Sequence, residues 1–385
     1  MGALTLTNLI PSIYEAFDTV SREQTGFIRN VTVDSAADRA AVNQTVFSPV
    51  VGPMVAENLT VGNVPADTPN QTINNVSVTI TKSRSVPFGI TGEENRGLNN
   101  AGTTAIINRD RITQAIRTLA NEVEQDLGAL HIAACRATGT AAGTPFGTAS
   151  VLTDFANMRQ IMEENGAPLS DLKFVTGSTS LNRLRGIQAG LFRVNEAGSD
   201  ELLRTGNVGT VQGFDVAWSP GVRTAVTVGT GASYTSSAAA FTVGQTSIPI
   251  ITGTGTVLAG DIITFAGDTN QYVVTTGVAA PGTIVIGEPG IRVAQGASAK
   301  AMTILAATTR NMFFHKGAIQ LVARAPAMPD GGDMADDVMM ITDPVSGIAY
   351  EFCVYRGKRQ VRWEVNLSWG VAMVQPRHCG LLIGA

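Results

Sequence analysis

Three histidines (His131, His315, His378) and three cysteines (Cys135, Cys353, Cys379) are all this chain of 385 residues has of the side chains that most often bind metals or act as nucleophiles. His378 and Cys379 adjoin, but neighbours along a strand point to opposite faces, which is poor geometry for a thiolate–imidazolium pair. His131 falls near the C-terminal end of a long helical pattern, where it is expected to meet that helix end or solvent. The cysteines are widely spaced with no Cys-x-x-Cys, so they read as reduced and structural. Gly229-Thr-Gly231-Ala-Ser233 and Gly253-Thr-Gly255 look like pieces of phosphate loops, yet neither has a Gly-Lys-Ser/Thr ending or a following helix, and both read as turns. Glu93-Glu94 and Glu163-Glu164 read as solvated carboxylates rather than an acid/base pair. Asp330, Asp333, Asp336 and Asp337 could hold calcium, but the Asp-x-Asp-x-Asp-Gly spacing and terminal Glu are missing. No catalytic, cofactor-binding or metal-ligating set emerges, and the chain is expected not to be an enzyme.

The elements that would position such groups are better marked. Asn108 to Arg136 reads as one helix, with Ile112, Ile116, Leu119, Val123, Leu127, Leu130 and Ala134 forming a single buried stripe. Asn108 serves as its N-cap, and Gly139 and Gly143 follow as stop signals. It would span roughly 43 Å, a strut beneath a broad, thin subunit. Pro11 to Ser21 reads as a short amphipathic helix in a segment, residues 1–40, with too little apolar material to fold alone. Val46 to Ile80, with Pro49, Pro53, Pro65 and Pro69 and a polar centre at Val61–Asp67, has the signature of a long hairpin. Val76, Val78 and Ile80 alternate with polar residues in a strand expected to run on toward Phe88 and Ile90. Helices over Leu152–Glu164 and Ser178–Gly186 alternate with strands at Lys173–Thr176 and Val208–Trp218, making an α/β layer.

Composition then shifts. Residues 222–305 hold six charged side chains in 84 positions, against 52 in the other 301. Strand runs such as Ile248–Ile251, Ile262–Phe265, Tyr272–Val274 and Thr283–Ile286 recur there between Gly- and Pro-containing turns, which argues an inserted all-β module. Long antiparallel strands return from Met312 onward, with Tyr350–Val374 the longest run.

Only 15% of residues are charged and 44% are hydrophobic, which fits a subunit whose faces are covered by neighbours, or a stable secreted β protein. The net charge of −4 argues against a dedicated nucleic-acid binder; the longest basic cluster, Arg356-Gly-Lys358-Arg359 with Arg362, reads as a solvated face. No secretory signal or membrane-length apolar run is visible, and the chain is expected to stay in a cytoplasm, where its six Asn-x-Ser/Thr sequons carry no meaning.

The order of these elements resembles the major capsid (coat) protein of tailed double-stranded DNA bacteriophages, the fold named after phage Hong Kong 97. The stretches that carry the resemblance are the strand through Val76–Ile90 leading into Asn108–Arg136, and Phe313-Phe-His-Lys-Gly-Ala-Ile-Gln-Leu-Val322 followed by a charged, Met-rich loop. The module is similar to that of the coat branch typified by the Salmonella podovirus, although shorter. The resemblance implies an α+β, Hong Kong 97-like fold. It divides as an N-terminal arm (1–40), an extended hairpin loop (41–75), a peripheral domain (76–150) with its spine helix (108–136), an axial domain (151–221), an inserted β domain (222–305) and closing strands (306–385). It also implies self-assembly into pentamers and hexamers of an icosahedral head around double-stranded DNA. The expected partners are a separate scaffolding protein, since no helical prodomain precedes the arm, a portal protein and an optional decoration protein. Procapsid assembly in the host bacterial cytoplasm, residence in the virion, and no cofactor complete the expectation. Lys82, the only lysine near the hairpin, has no assigned cross-linking role. The competing readings are an encapsulin-like compartment with protein cargo and a β-rich surface adhesin.

Overall fold

The apolar stripe of the long helix is buried along its length: Ile112, Ala115, Ile116, Leu119, Ala120, Val123 and Leu127 are all in the main core. Burying each Ile, Leu or Val of this stripe is worth roughly 1.5–3 kcal/mol, far more than the helix's intrinsic propensity supplies. The computed structural model describes residues 9–24, 26–51, 73–101, 104–149, 151–187, 205–224 and 226–384. Its five helices among these residues are α1 (Ile10–Gln24), α2 (Gly92–Ala101), α3 (Thr104–Ala129), α4 (Thr153–Glu164) and α5 (Ser178–Ile187). The strands are β1 (Thr32–Ala40), β2 (Thr45–Val51), β3 (Ile73–Thr79), β4 (Lys82–Thr91), β5 (Arg136–Gly139), β6 (Leu172–Thr176), β7 (Thr210–Val211) and β8 (Phe214–Trp218). Then follow β9 (Ala232–Ser236), β10 (Ser247–Thr254), β11 (Ile262–Phe265), β12 (Gln271–Thr276), β13 (Gly282–Ile286) and β14 (Met302–Ile304). The chain closes with β15 (Thr309–His315), β16 (Ile319–Pro326), β17 (Asp337–Thr342), β18 (Ala349–Gly357), β19 (Gln360–Met373) and β20 (Cys379–Gly384).

One six-stranded sheet is built on β19, the longest strand. β4 pairs with it from Gln360 to Trp369, β18 from Gln360 to Asn366 and β16 from Ser368 to Met373. Residues that pair with β4 and with β18 or β16 at once show that β4 lies on the opposite edge of β19 from both. β17 extends the sheet beyond β18, and β1 runs parallel to β16. α1 and α3 cover this sheet, with Phe17 stacked on Tyr350 at 5.4 Å between ring centroids. The second sheet orders β7-β8-β6-β15-β20-β5-β12-β13-β10-β9. Around its α4/α5 side lies an aromatic core in which Phe146 stacks on Phe155 at 4.8 Å and Phe155 meets Phe174 edge-on at 5.7 Å. A third core, around Tyr234, Ile250, Phe265 and Ile284, belongs to β9–β14.

The structure differs from the sequence reading at several joints. The long helix was expected over 108–136; it starts at Thr104, with Asn108 inside it, and its α-helical part ends at Ala129, followed by a 3-10 turn over Leu130–Ala133. Ala134 is extended (φ −66°, ψ 156°) and Arg136 opens β5. Strand pairing wins here: the Cys135 N–H donates to the Cys379 carbonyl at 2.9 Å, and β5 is held between β20 and β12. Ala134 is buried as the stripe requires, but in the extended link to β5 rather than in the helix.

The strand expected to run from Val76 to Ile90 is two strands in two sheets. At the break, Ile80 N–H donates to the Gln44 carbonyl (2.9 Å) and Thr81 N–H to the Trp369 carbonyl (3.1 Å). Residues 26–40 of the expected arm are part of the body, with Phe27, Ile28 and Val31 buried in the main core and β1 in the sheet. The β-rich stretch 222–305 has its own core yet is hydrogen-bonded into the second sheet, where Gln271 pairs with Ala137 and Tyr272 with Arg136.

Candidate assembly interface

The titratable residues singled out by sequence do not converge on one site, although His378 is brought beside His315 and Cys135 beside Cys379. His131 is buried, with Nδ1 3.1 Å from the Gly128 carbonyl, and burial pulls its pKa down to about 4, so it is neutral at pH 7. His378 lies in a short 3-10 turn with its ring 6.3 Å from that of His315. Cys135, Cys353 and Cys379 are free and buried, and burial raises the thiols of Cys135 and Cys353 to about 11 and about 12 and that of Cys379 well above its ordinary value. Such thiols stay protonated and inert. In the aspartate cluster the carboxylates are used separately: Asp333 accepts from the Tyr355 hydroxyl (2.6 Å) and Asp336 pairs with Arg356. Among the described residues, no group of three His, Cys, Asp or Glu side chains is arranged to hold a metal ion. Lys82 is bound to Asp126 at 2.7 Å, and Asp126 also accepts from the Trp369 indole N–H at 2.8 Å.

What the polar groups do instead is fasten the body. Glu124, on the buried face of α3 and 0% exposed, accepts from the Phe27 N–H (2.9 Å), the Ile28 N–H (2.8 Å) and the Ser219 hydroxyl (2.5 Å). Three glycines make room for these approaches. An added Cβ would lie 2.1 Å from the Trp218 carbonyl oxygen at Gly26, 1.9 Å from that of Gly221 at Gly128, and 2.1 Å from that of Glu124 at Gly221. Sequence reasoning passed over Glu124, although a signal was present: Ile112, Ile116, Ala120 and Glu124 form one i, i+4 row, and a carboxylate in an apolar row needs buried donors.

Set against this fastened body is a part with little to cover it. Among the described residues, β2 and β3 pair only with each other, in register from Thr45–Thr79 to Val51–Ile73. At about 3.4 Å per residue, the seven-residue strands make an arm of roughly 24 Å. Its root is fixed where Val78 and Ile80 pack with Ala40 and Val322, and where Gly370 leaves space for the Thr79 carbonyl, 2.1 Å from where a Cβ would be. Farther out, Phe47 is 65% exposed. The Val61–Asp67 centre expected to form the tip lies outside the described residues. An isolated two-stranded hairpin is marginally stable in water, and this one carries a large exposed aromatic.

No protein-family model matches the chain, and no curated protein matches it. Among solved structures it is similar to the capsid of cyanophage P-SCSP1u, at TM-score 0.49 and 12% identity over 92% of this chain and 86% of that one. It is also similar to the capsid of the native GTA particle, at TM-score 0.45 and 10% identity over 94% and 90%. The virus-like particle from Pyrococcus furiosus matches at TM-score 0.43 and 7% identity over 97% and 98%. All three TM-scores lie under 0.5.

Proposed function

We propose that the chain is a structural, non-enzymatic shell subunit, the major capsid protein of a tailed-phage head. It self-assembles into pentamers and hexamers of an icosahedral shell that encloses double-stranded DNA without reading its sequence. The observation that carries this reading is the β2–β3 arm: a paired hairpin of roughly 24 Å, rooted on the body and bearing the exposed Phe47, lacks apolar cover among the described residues and takes it from a neighbouring subunit. The net charge of −4 fits enclosure of DNA rather than tight binding to it.

In this reading the arm, with the rest of residues 41–75, overlaps a neighbour, and α3 is the strut of the peripheral domain. The layer over residues 151–221 faces its copies at the capsomer centre, and residues 222–305 form an inserted domain of the kind found in the podovirus branch. A scaffolding protein, a portal protein and a decoration protein complete the set of partners, and assembly proceeds through a procapsid in the host cytoplasm. Many modest contacts of this kind suit reversible association followed by locking. Deleting Gly62–Pro69 tests the reading: the subunit folds but builds no closed shell. Normal shells from the deletion would refute the role given to the hairpin.

A further inference from the structure

Met334 is 91% exposed, far more than any other large apolar side chain among the described residues. It stands on the loop between β16 and β17, flanked by Asp330, Asp333 and Asp336. Gly331 and Gly332 in this loop have left-handed backbone (φ 95° and 87°) and nothing within 4 Å of where a Cβ would be, so the loop projects clear of the body. Its base is nevertheless fixed. Tyr355 donates to Asp333, the Ala335 N–H donates to the same carboxylate at 2.9 Å, and Asp336 is paired with Arg356. An apolar knob with an acidic collar is thereby held out in water.

The same sheet end carries the complementary shape beside this loop. Register places Asp337 opposite Val354, Gly357 opposite Gln360 and Gln360 opposite Thr91, so the order across this end is β17, β18, β19, β4. Between the β4–α2 junction and the β18–β19 turn lies a groove of about 870 Å³, with Ile90 and Val361 among its lining residues. Lys358 and Arg359 on its rim are exposed and have no ion pair among the described residues; Glu93 is the one acid lining it. The knob's loop lies beside the groove, since Asp336 pairs with Arg356, which also lines it, yet Met334 stays 91% exposed and does not fill the groove of its own chain.

We propose that these two surfaces dock onto each other between copies of this chain: Met334 of one copy enters the groove of a second, and Asp330 beside it meets Lys358 and Arg359. The inference rests on the shell-subunit reading and names one of its contacts. Engaged head-to-tail, such a contact leaves each copy one free knob or groove and propagates into a ring or a shell, whereas reciprocal engagement would close a two-fold dimer. Charge complementarity sets the pairing direction, because two acidic loops or two basic turns repel.

The test compares particle formation by the full-length chain with that of Met334→Asp and of the double variant Lys358→Glu, Arg359→Glu, with thermal melts as folding controls. Each variant is expected to melt as the parent does and to lower particle yield by about tenfold or more, the effect of losing ~1.4 kcal/mol per contact. Adding Asp330→Lys to the double variant restores part of the loss. Independently, chains carrying Met334→Cys are mixed with chains carrying Lys358→Cys, and oxidation is expected to link one to the other. If the parent forms particles while both variants assemble normally and the cysteines do not link, the knob-and-groove contact is overturned and the shell reading stands. If the parent forms no particle under any condition, both fall together.

Discussion

The Glu124 carboxylate lies 2.8 Å from the backbone nitrogen of Ile28, ninety-six residues away, and so ties the turn before β1 to the C-terminal part of the long helix. This one side chain joins three segments, since Ser219 in the turn after β8 also donates to it and in turn accepts from the Gly221 N–H at 2.9 Å. Burial raises the Glu124 carboxyl to about 7, against hydrogen bonds from Ile28, Ser219 and Phe27 that favour its charge.

That shift fixes a pH dependence. The folded pKa of about 7 lies above the ordinary 4.5, so the unfolded chain releases this proton first. The stability held by the neutral form is full below about pH 4.5, falls on the order of 3 kcal/mol as pH rises to about 7, and is level beyond. Glu124→Gln should remove this slope, but the Phe27 and Ile28 amides use different carboxylate oxygens, so the single amide oxygen of glutamine serves one and its NH2 faces the other, and the variant should melt below the parent at pH 5. Glu124→Ala strands all three donors and should cost roughly 2–4 kcal/mol. Chemical denaturation at pH 5 and pH 8 separates the three proteins.

Two glycine-to-alanine changes in helices should move in opposite directions. At Gly128 a Cβ would sit 1.9 Å from the Gly221 carbonyl oxygen, so Gly128→Ala should destabilise by roughly 1–3 kcal/mol despite alanine's better helix propensity. Gly97 in α2 has nothing within 4 Å of its Cβ position, and Gly97→Ala should stabilise by about 0.5–1 kcal/mol. Thermal melts read both.

The contrast between these glycines shows what the sequence could and could not reveal. Elements whose apolar residues recur with one clear period were visible, as with α1, α4, α5, β6 and β10–β13. α2 was missed because Gly, Asn and Glu dominate it, although Thr91 and Glu94 form a reciprocal capping box, with Thr91 N–H donating to Glu94 at 3.0 Å. β5 and β20 were missed for another reason: Arg136-Ala-Thr-Gly and Cys379-Gly-Leu-Leu-Ile-Gly are short, hold glycine and are buried on long-range pairing, which no local pattern encodes. β1 is mostly polar and small, and only its parallel partner β16 makes it a strand. The carboxylate row through Glu124 was legible, but its three donors come from segments whose meeting depends on the whole fold.

Asp126 should matter to the buried Trp369. It accepts from the Trp369 indole at 2.8 Å and holds Lys82, whose ammonium is 5.8 Å from the centre of that ring. Asp126→Ala leaves the buried indole N–H without its acceptor and should cost roughly 1–3 kcal/mol. Lys82→Ala, removing a half-exposed partner, should cost under about 1 kcal/mol. Denaturation followed by tryptophan fluorescence gives both values.

Phe47 separates folding from assembly. Its ring is 65% exposed on the arm, so Phe47→Asp should leave the melting temperature of the isolated subunit within about 2 °C of the parent, since surface changes fall within ±0.5 kcal/mol. In the shell-subunit account the same change puts a charge into a covered interface and should abolish or sharply reduce particles, read by sedimentation.

The most direct measurement is the mass and shape of what the full chain forms, expressed with and without a candidate scaffolding partner and examined by light scattering and negative-stain microscopy. The account predicts closed shells tens of nanometres across. A chain that stays a monomer or trimer even with the partner present would contradict it.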